Sequence, residues 1–146
     1  MAVVIEDSVE AAATQGAVFA YLHDPRLRGS WDSSADAATI EGEAAAVGAR
    51  LHVQGHRMAP SWTGQYTAFE PPRLSRLRLV EGRGMPFRSY SQTITVAPAR
   101  GGRSLVTIRI EYVATGVARL LEPVTLRSRL RKVTARSLHR IREHFA

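Results

Sequence analysis

From residue 36 to residue 113 apolar side chains recur at every second position in six short runs, and after Gly116 the spacing lengthens to three or four. Period two belongs to strands with one buried face, and a period near 3.6 belongs to an amphipathic helix. The first run carries Ala38 and Ile40 and ends at Gly42; the second, residues 50–55, sets Leu51 and Val53 opposite His52 and Gln54. Residues 61–69 hold Trp62, Tyr66 and Phe69 and stop at Pro71-Pro72, since proline cannot continue a ladder. Residues 74–80 set Leu77 and Leu79 opposite Arg76 and Arg78. After a loop at 82–86, residues 87–96 place Tyr90, Ile94 and Val96 opposite Ser89, Ser91, Thr93 and Thr95. A turn at 99–102 leads to residues 105–113, where Val106, Ile108, Ile110 and Tyr112 alternate with Thr107, Arg109 and Glu111. Such alternation predicts an antiparallel meander with one wet and one covered face.

The flanks complete the plan. Residues 3–9 read as a first strand. Residues 13–22 have helical spacing, with Thr14 as N-cap and Val18, Phe19 and Leu22 as the apolar stripe. Asp24-Pro25 breaks that helix and opens a second short one running to about Trp31. At the other end Leu126, Leu130, Val133, Ser137, Ile141 and Phe145 form one stripe, and Arg129, Lys132, Arg136 and Arg140 form another. Pro123 falls in the first turn of that helix or at a kink before it. Only the terminal helix is long enough to cover the sheet. The expected fold is therefore α+β: a curved antiparallel sheet of about seven strands around a long C-terminal helix, with two short helices after strand 1. A curved sheet cannot lie flat on one helix, so a gap is expected between them.

The 146 residues suit one domain spanning 1–146. With no cysteine, disulfides, thiolate metal sites and a cysteine nucleophile are excluded, which fits a cytoplasmic protein. The opening MAVVIEDSVEAAA lacks a basic region and does not read as a signal peptide, and no apolar run approaches the ~18 residues that span a bilayer. Net charge is +7, distributed as −6 over residues 1–45, +7 over 46–115 and +6 over 116–146. No aromatics interleave with the basic residues, so no nucleic acid is expected as a partner. The basic final helix suits weak contact with an anionic membrane or an acidic partner.

Several local patterns resemble one family. Val3–Glu10 leading to Ala17-Val18-Phe19-Ala20-Tyr21-Leu22, Asp24-Pro25 and Trp31 resembles the strand, "VFxxLxDP" helix and following Trp of the START-like (SRPBCC) superfamily, and within it the polyketide cyclase/dehydrase group. Val47-Gly48-Ala49-Arg50-Leu51 resembles its "VGxRL" strand entry, and Phe69-Glu70-Pro71-Pro72-Arg73-Leu74 its "YEPPRxL" hairpin. The basic last helix, introduced by Gly116 and Leu120-Leu121-Glu122-Pro123, is similar too. The resemblance covers the whole chain and implies a helix-grip fold with a hydrophobic cavity between helix and sheet. Members include aromatases and cyclases, lipid carriers, hormone receptors and allergen-like binders, so fold does not choose function.

A cavity residue must share the covered parity. That selects Leu51, Val53, Leu77, Leu79, Tyr90, Gln92, Ile94, Val96, Val106, Ile108, Ile110 and Tyr112 from the strands. Trp31 is a wall or packing residue, Leu130 and Val133 come from the final helix, and Met58, Trp62, Met85 and Phe87 suit the mouth. The aliphatic members serve a plain core equally well. Arg88, Tyr90, Gln92 and Tyr112 are the polar or phenolic members. There Arg88 would hold an enolate or carboxylate oxygen, and Tyr90 or Tyr112 would donate a proton. At a strand end Arg88 also reaches solvent. His52 and His56 have the wet parity, but a bulge near Gly55 would turn His56 inward as a general base. His23 beside Asp24 either ends the first helix or pairs at the cavity entrance. The histidines do not converge, so no metal site is expected, and Gly82-Arg83-Gly84 lacks the context of a phosphate loop, so no cofactor is expected. Two functions remain: a cofactor-free cyclase or dehydratase, or a non-catalytic carrier of a hydrophobic metabolite whose 82–86 loop acts as lid. Monomer and homodimer stay equally open.

Overall fold

The computed structural model describes residues 2–57, 59–121 and 125–146. Strand β1 (Val3–Ala11) is followed by α1 (Gln15–His23), a 3-10 turn (Pro25–Leu27) and α2 (Arg28–Trp31). The meander is β2 (Ala35–Ile40), β3 (Arg50–Gly55), β4 (Trp62–Glu70), β5 (Leu74–Glu81), β6 (Phe87–Pro98) and β7 (Ser104–Ala114). Helix α3 (Gly116–Leu121) and the long α4 (Arg127–His144) close the chain. All seven strands form one antiparallel sheet in the order β1-β7-β6-β5-β4-β3-β2. This is the curved-sheet and terminal-helix plan that the alternating runs predict. Residue 123 lies outside the described residues.

Local chemistry explains the boundaries. Asp24 ends α1 and caps the next turn, its carboxylate accepting from the Arg26 backbone N–H at 3.0 Å while Pro25 fills the first position. Thr14 has the extended backbone of an N-cap, but its side chain makes no capping hydrogen bond. The β6–β7 hairpin turns through Gly101 and Gly102, both with positive φ (67° and 72°), a region that L side chains resist.

Two apolar clusters fill the concave side. The larger joins Val18, Phe19 and Leu22 of α1 and Leu138 and Ile141 of α4 to Ile94, Val96, Val106, Ile108, Ile110 and Tyr112 of β6 and β7. The smaller gathers Ala35, Ala38, Leu51, Val53, Tyr66 and Leu77 on the β2–β5 half. Each fully buried aliphatic side chain contributes ~1.5–3 kcal/mol by leaving water. Helix α4 buries Thr134, Ser137, Leu138 and Ile141, with Leu126, Leu130 and Phe145 packed beside them. Among the described residues no helix is long and apolar enough to cross a membrane.

Candidate functional site

Between α4 and the concave face lies a cavity of about 130 Å³, close to the ~150 Å³ of an engineered void that takes benzene. Tyr90, Gln92, Ile108 and Ile110 form its sheet side. Leu126, Arg129, Leu130, Val133, Thr134 and Ser137 face them, Trp62, Met85, Pro86 and Phe87 line the outer end, and Ala59-Pro60 and Asp32-Ser34 complete the wall. The segment after β3 approaches so closely that a Cβ on Gly55 would stand 2.1 Å from the Ala59 carbonyl oxygen; only glycine fits there.

Polar groups gather at the inner end. Arg28, 3% exposed, donates through Nε to Asp32 Oδ2 at 2.9 Å and through Nη2 to Gln92 Oε1 at 2.8 Å. Its guanidinium also lies 4.9 Å from the centre of the Trp31 ring. Asp32 Oδ1 accepts from the Ser34 backbone N–H at 3.0 Å and the Ser34 hydroxyl at 2.7 Å, so both carboxylate oxygens are satisfied. The next loop is tied to α4: the Ser33 N–H donates to Ser137 Oγ and the Ser33 hydroxyl to the Val133 carbonyl. Ordinarily a buried ion pair costs desolvation, and here hydrogen bonds from both sides offset it.

Two donors on this wall are unengaged. With its Oε1 taken by Arg28, Gln92 keeps its amide N–H groups, and neither these nor the Tyr90 hydroxyl has a hydrogen-bond partner among the described residues. Burial pushes the Tyr90 phenol far above its usual value, the Asp32 charge adds to this and Arg28 opposes it, so the hydroxyl stays protonated and serves as a donor. Asp32 is the one carboxylate lining the cavity among the described residues. The indole Nε1 of Trp31, fully buried, has no partner among the described residues.

Of the residues that parity selects, Tyr90, Gln92, Ile108 and Ile110 line the cavity, and Trp62, Met85, Phe87, Leu130 and Val133 line it too. Other expectations need correction. Arg88 is exposed and outside the cavity, because the β6–β7 register shifts between Phe87 and Ser89; this bulge turns Phe87 inward and Arg88 out. His56 is also outside: it lies beyond the end of β3, its backbone N–H bonds the Ser34 carbonyl and its ring Nδ1 pairs with Asp36 at 2.5 Å on the surface. Tyr112 sits opposite Tyr90 in register but is 1% exposed in the core, edge-on to Phe87, and does not reach the cavity. Leu51, Val53 and Leu77 fill the second cluster; Leu79, Ile94, Val96, Val106 and Trp31 pack in or against the first. For the first cluster the reason is that Val18, Phe19 and Leu22 of α1 cover that part of the concave face. Met58 lies outside the described residues. His23 is the last residue of α1, as the first of its two readings expects, and does not line the cavity. It stacks on Phe19 at 3.9 Å, with Nδ1–H donating to the Phe19 carbonyl and Nε2 accepting from the Ser75 hydroxyl. Burial pushes its ring down to about 4, nearby Arg28 adding to this and the Phe19 bond opposing it.

Sequence reasoning missed Arg28, Asp32 and Ser34 as cavity chemistry. The available signal was the Arg28/Asp32 spacing of four, which on a helix brings the pair together. A larger open groove of about 510 Å³, lined by Thr39, His52, Gln54 and Thr63 among others, runs over the wet face of the sheet. There His52 bonds Thr63 at 2.8 Å and Glu41 at 3.0 Å, a cross-strand pairing exposed to water. Among the described residues no three His, Asp or Glu side chains cluster to hold a metal.

The family model described as polyketide cyclase/dehydrase and lipid transport matches residues 2–146. No curated protein matches the chain in sequence. Among solved structures, an aromatase/cyclase, Zhui, from a Streptomyces species has a TM-score of 0.80 at 16% identity, covering 99% of this chain and 93% of its own. The ginseng (Panax ginseng) major latex-like protein 151 has a TM-score of 0.75 at 18% identity over 99% and 97%. Norcoclaurine synthase from Thalictrum flavum, solved as a point mutant with a transition-state analogue, has a TM-score of 0.69 at 18% identity over 100% and 98%. These likenesses establish the helix-grip fold.

Proposed function

Because the chain belongs to the polyketide cyclase/dehydrase and lipid transport family, we propose that it binds a small, largely apolar molecule carrying an oxygen function and acts on it as a cofactor-free cyclase or dehydratase. The observation that carries this reading is the pairing of an apolar cavity with two unengaged donors, Tyr90 and Gln92, beside the carboxylate of Asp32. A guest carbonyl placed against Tyr90 and Gln92 would be polarised, and the enolate formed on losing an α-proton would be stabilised by the same two donors. Asp32 is the acceptor for that proton, and Arg28 holds it in place. Confinement between α4 and the sheet would bring reacting carbons together, an effect worth ~10⁵ M or more in favourable cases. The likeness to an aromatase/cyclase supports this order of ideas.

A carrier is the second reading, favoured by one observation: Arg88, His56 and Tyr112, three of the four groups suited to acid/base work, lie outside the cavity. The test is a mass-spectrometric time course with a panel of small poly-β-ketone mimics, aryl ketones and fatty acids, using the wild type and Tyr90→Phe. A new product mass or isomer that forms faster than in buffer, and at least ~10-fold more slowly with Tyr90→Phe, is the expected result. Ligand retained unchanged by both proteins would overturn the enzymatic reading in favour of the carrier.

A further inference from the structure

Apart from Arg129, the outward face of α4 takes no part in lining the cavity. Arg129, Lys132, Arg136 and Arg140 stand on it, all exposed and without an ion pair among the described residues. Eleven residues at 1.5 Å each make this a stripe of roughly 16 Å. The one acid of α4, Glu143, sits at its far end, 3.8 Å from His139. At the near end the stripe meets α3. Arg129, Pro86 and Leu126 line both the cavity and a shallow hollow beside Ala118 of α3, so the hollow and the cavity share a wall. Arg119 of α3 and Arg127 at the start of α4 line a second hollow with Val3, Val4 and Val113. Leu120 projects from α3 at 82% exposure, the most exposed large hydrophobic among the described residues.

We infer that this face docks on an anionic lipid surface, with α3 dipping into the headgroup region and the cavity mouth held against the bilayer. Charge complementarity selects a negative partner. An acidic protein would satisfy the cations equally, but Leu120, exposed on the same short helix as Ala118 of the hollow, fits a surface into which one leucine can partition. A guest could then pass between bilayer and cavity without crossing water. The docking stands independently of what the cavity does to its guest.

The test is co-sedimentation of the full chain with vesicles of phosphatidylcholine alone and of equimolar phosphatidylcholine and phosphatidylglycerol. Binding is expected to the anionic vesicles only, and to fall steeply between ~0.1 M and ~1 M salt as the screening length shrinks from ~10 Å to ~3 Å. The triple variant Lys132→Gln/Arg136→Gln/Arg140→Gln, which leaves the cavity wall intact, is expected to bind roughly 100-fold more weakly, about fivefold per cation. Leu120→Ser is expected to bind roughly 10-fold more weakly. No binding to anionic vesicles, or equal binding to neutral ones, would overturn the inference. So would full binding by Leu120→Ser together with equal affinity for soluble polyglutamate, which would assign the face to an acidic protein instead.

Discussion

Replacing Arg28 by Met removes a cation that is 3% exposed and leaves the Asp32 carboxylate, 6% exposed, with only Ser34 as a partner. The substitution is close in volume, so the loss is electrostatic. Deleting one member of a buried pair costs ~3–5 kcal/mol because the other charge stays desolvated. The 2.8 Å bond to Gln92 and the stacking on Trp31 are lost as well. For 146 residues, an unfolding entropy of ~2.1 cal/mol/K per residue converts this to a Tm lowered by roughly 10–15 °C. The double variant Arg28→Met/Asp32→Asn removes both charges while keeping an oxygen for Ser34, and is expected to regain at least half of the loss. Urea unfolding followed by circular dichroism, run on both single variants and the double, gives the coupling energy. Single losses below ~1 kcal/mol that simply add in the double variant would refute the reasoning, since the pair would then be exchanging with water and could not organise the cavity.

Stability should also fall with pH through His23. Its folded pKa, about 4, lies below the ordinary 6.5, so below pH ~6.5 the unfolded chain takes up a proton that the fold refuses, and roughly 3 kcal/mol is lost by pH ~4; His23→Gln, compared by urea midpoints across that range, should flatten this component, and an unchanged slope would contradict it. Arg88→Ala and His56→Ala are expected to change ligand affinity less than twofold by fluorescence titration, since both side chains are exposed and outside the cavity. Gly55→Ala should destabilise by more than ~2 kcal/mol in thermal melts, because its new Cβ meets backbone atoms of Ala59 and Pro60 that cannot rotate away.

The alternation from residue 36 to 113 carried most of the fold. Strand β3 spans the residues that its pattern marks, and the inward parity of Tyr90, Gln92, Ile108 and Ile110 follows directly from period two. Arg88 shows where that logic stops. One bulged residue inverts parity at a strand end, and a bulge leaves no trace in apolar spacing when Phe, Arg and Ser follow one another. The Arg28–Asp32 pair was hidden for another reason. A four-residue spacing of opposite charges usually marks a wet helix face, and only the packing of the α2 region against α4 and Gln92 makes this pair dry. Leu51 and Leu77 face inward as expected, yet fill a core, because parity gives direction and says nothing of what lies opposite.

The central claim, that a guest occupies the space between α4 and β6–β7, is tested most directly by amide NMR titration of the wild type and Leu130→Trp with 1-naphthol, a ligand with an apolar body and one hydroxyl. Saturable shifts are expected at Tyr90, Gln92, Ile110 and Thr134 in the wild type, together with their loss in Leu130→Trp, whose indole fills the cavity while the dispersed spectrum of the fold is kept. Equal binding by both proteins, or shifts centred on His52 and Thr63 of the outer groove, would contradict it.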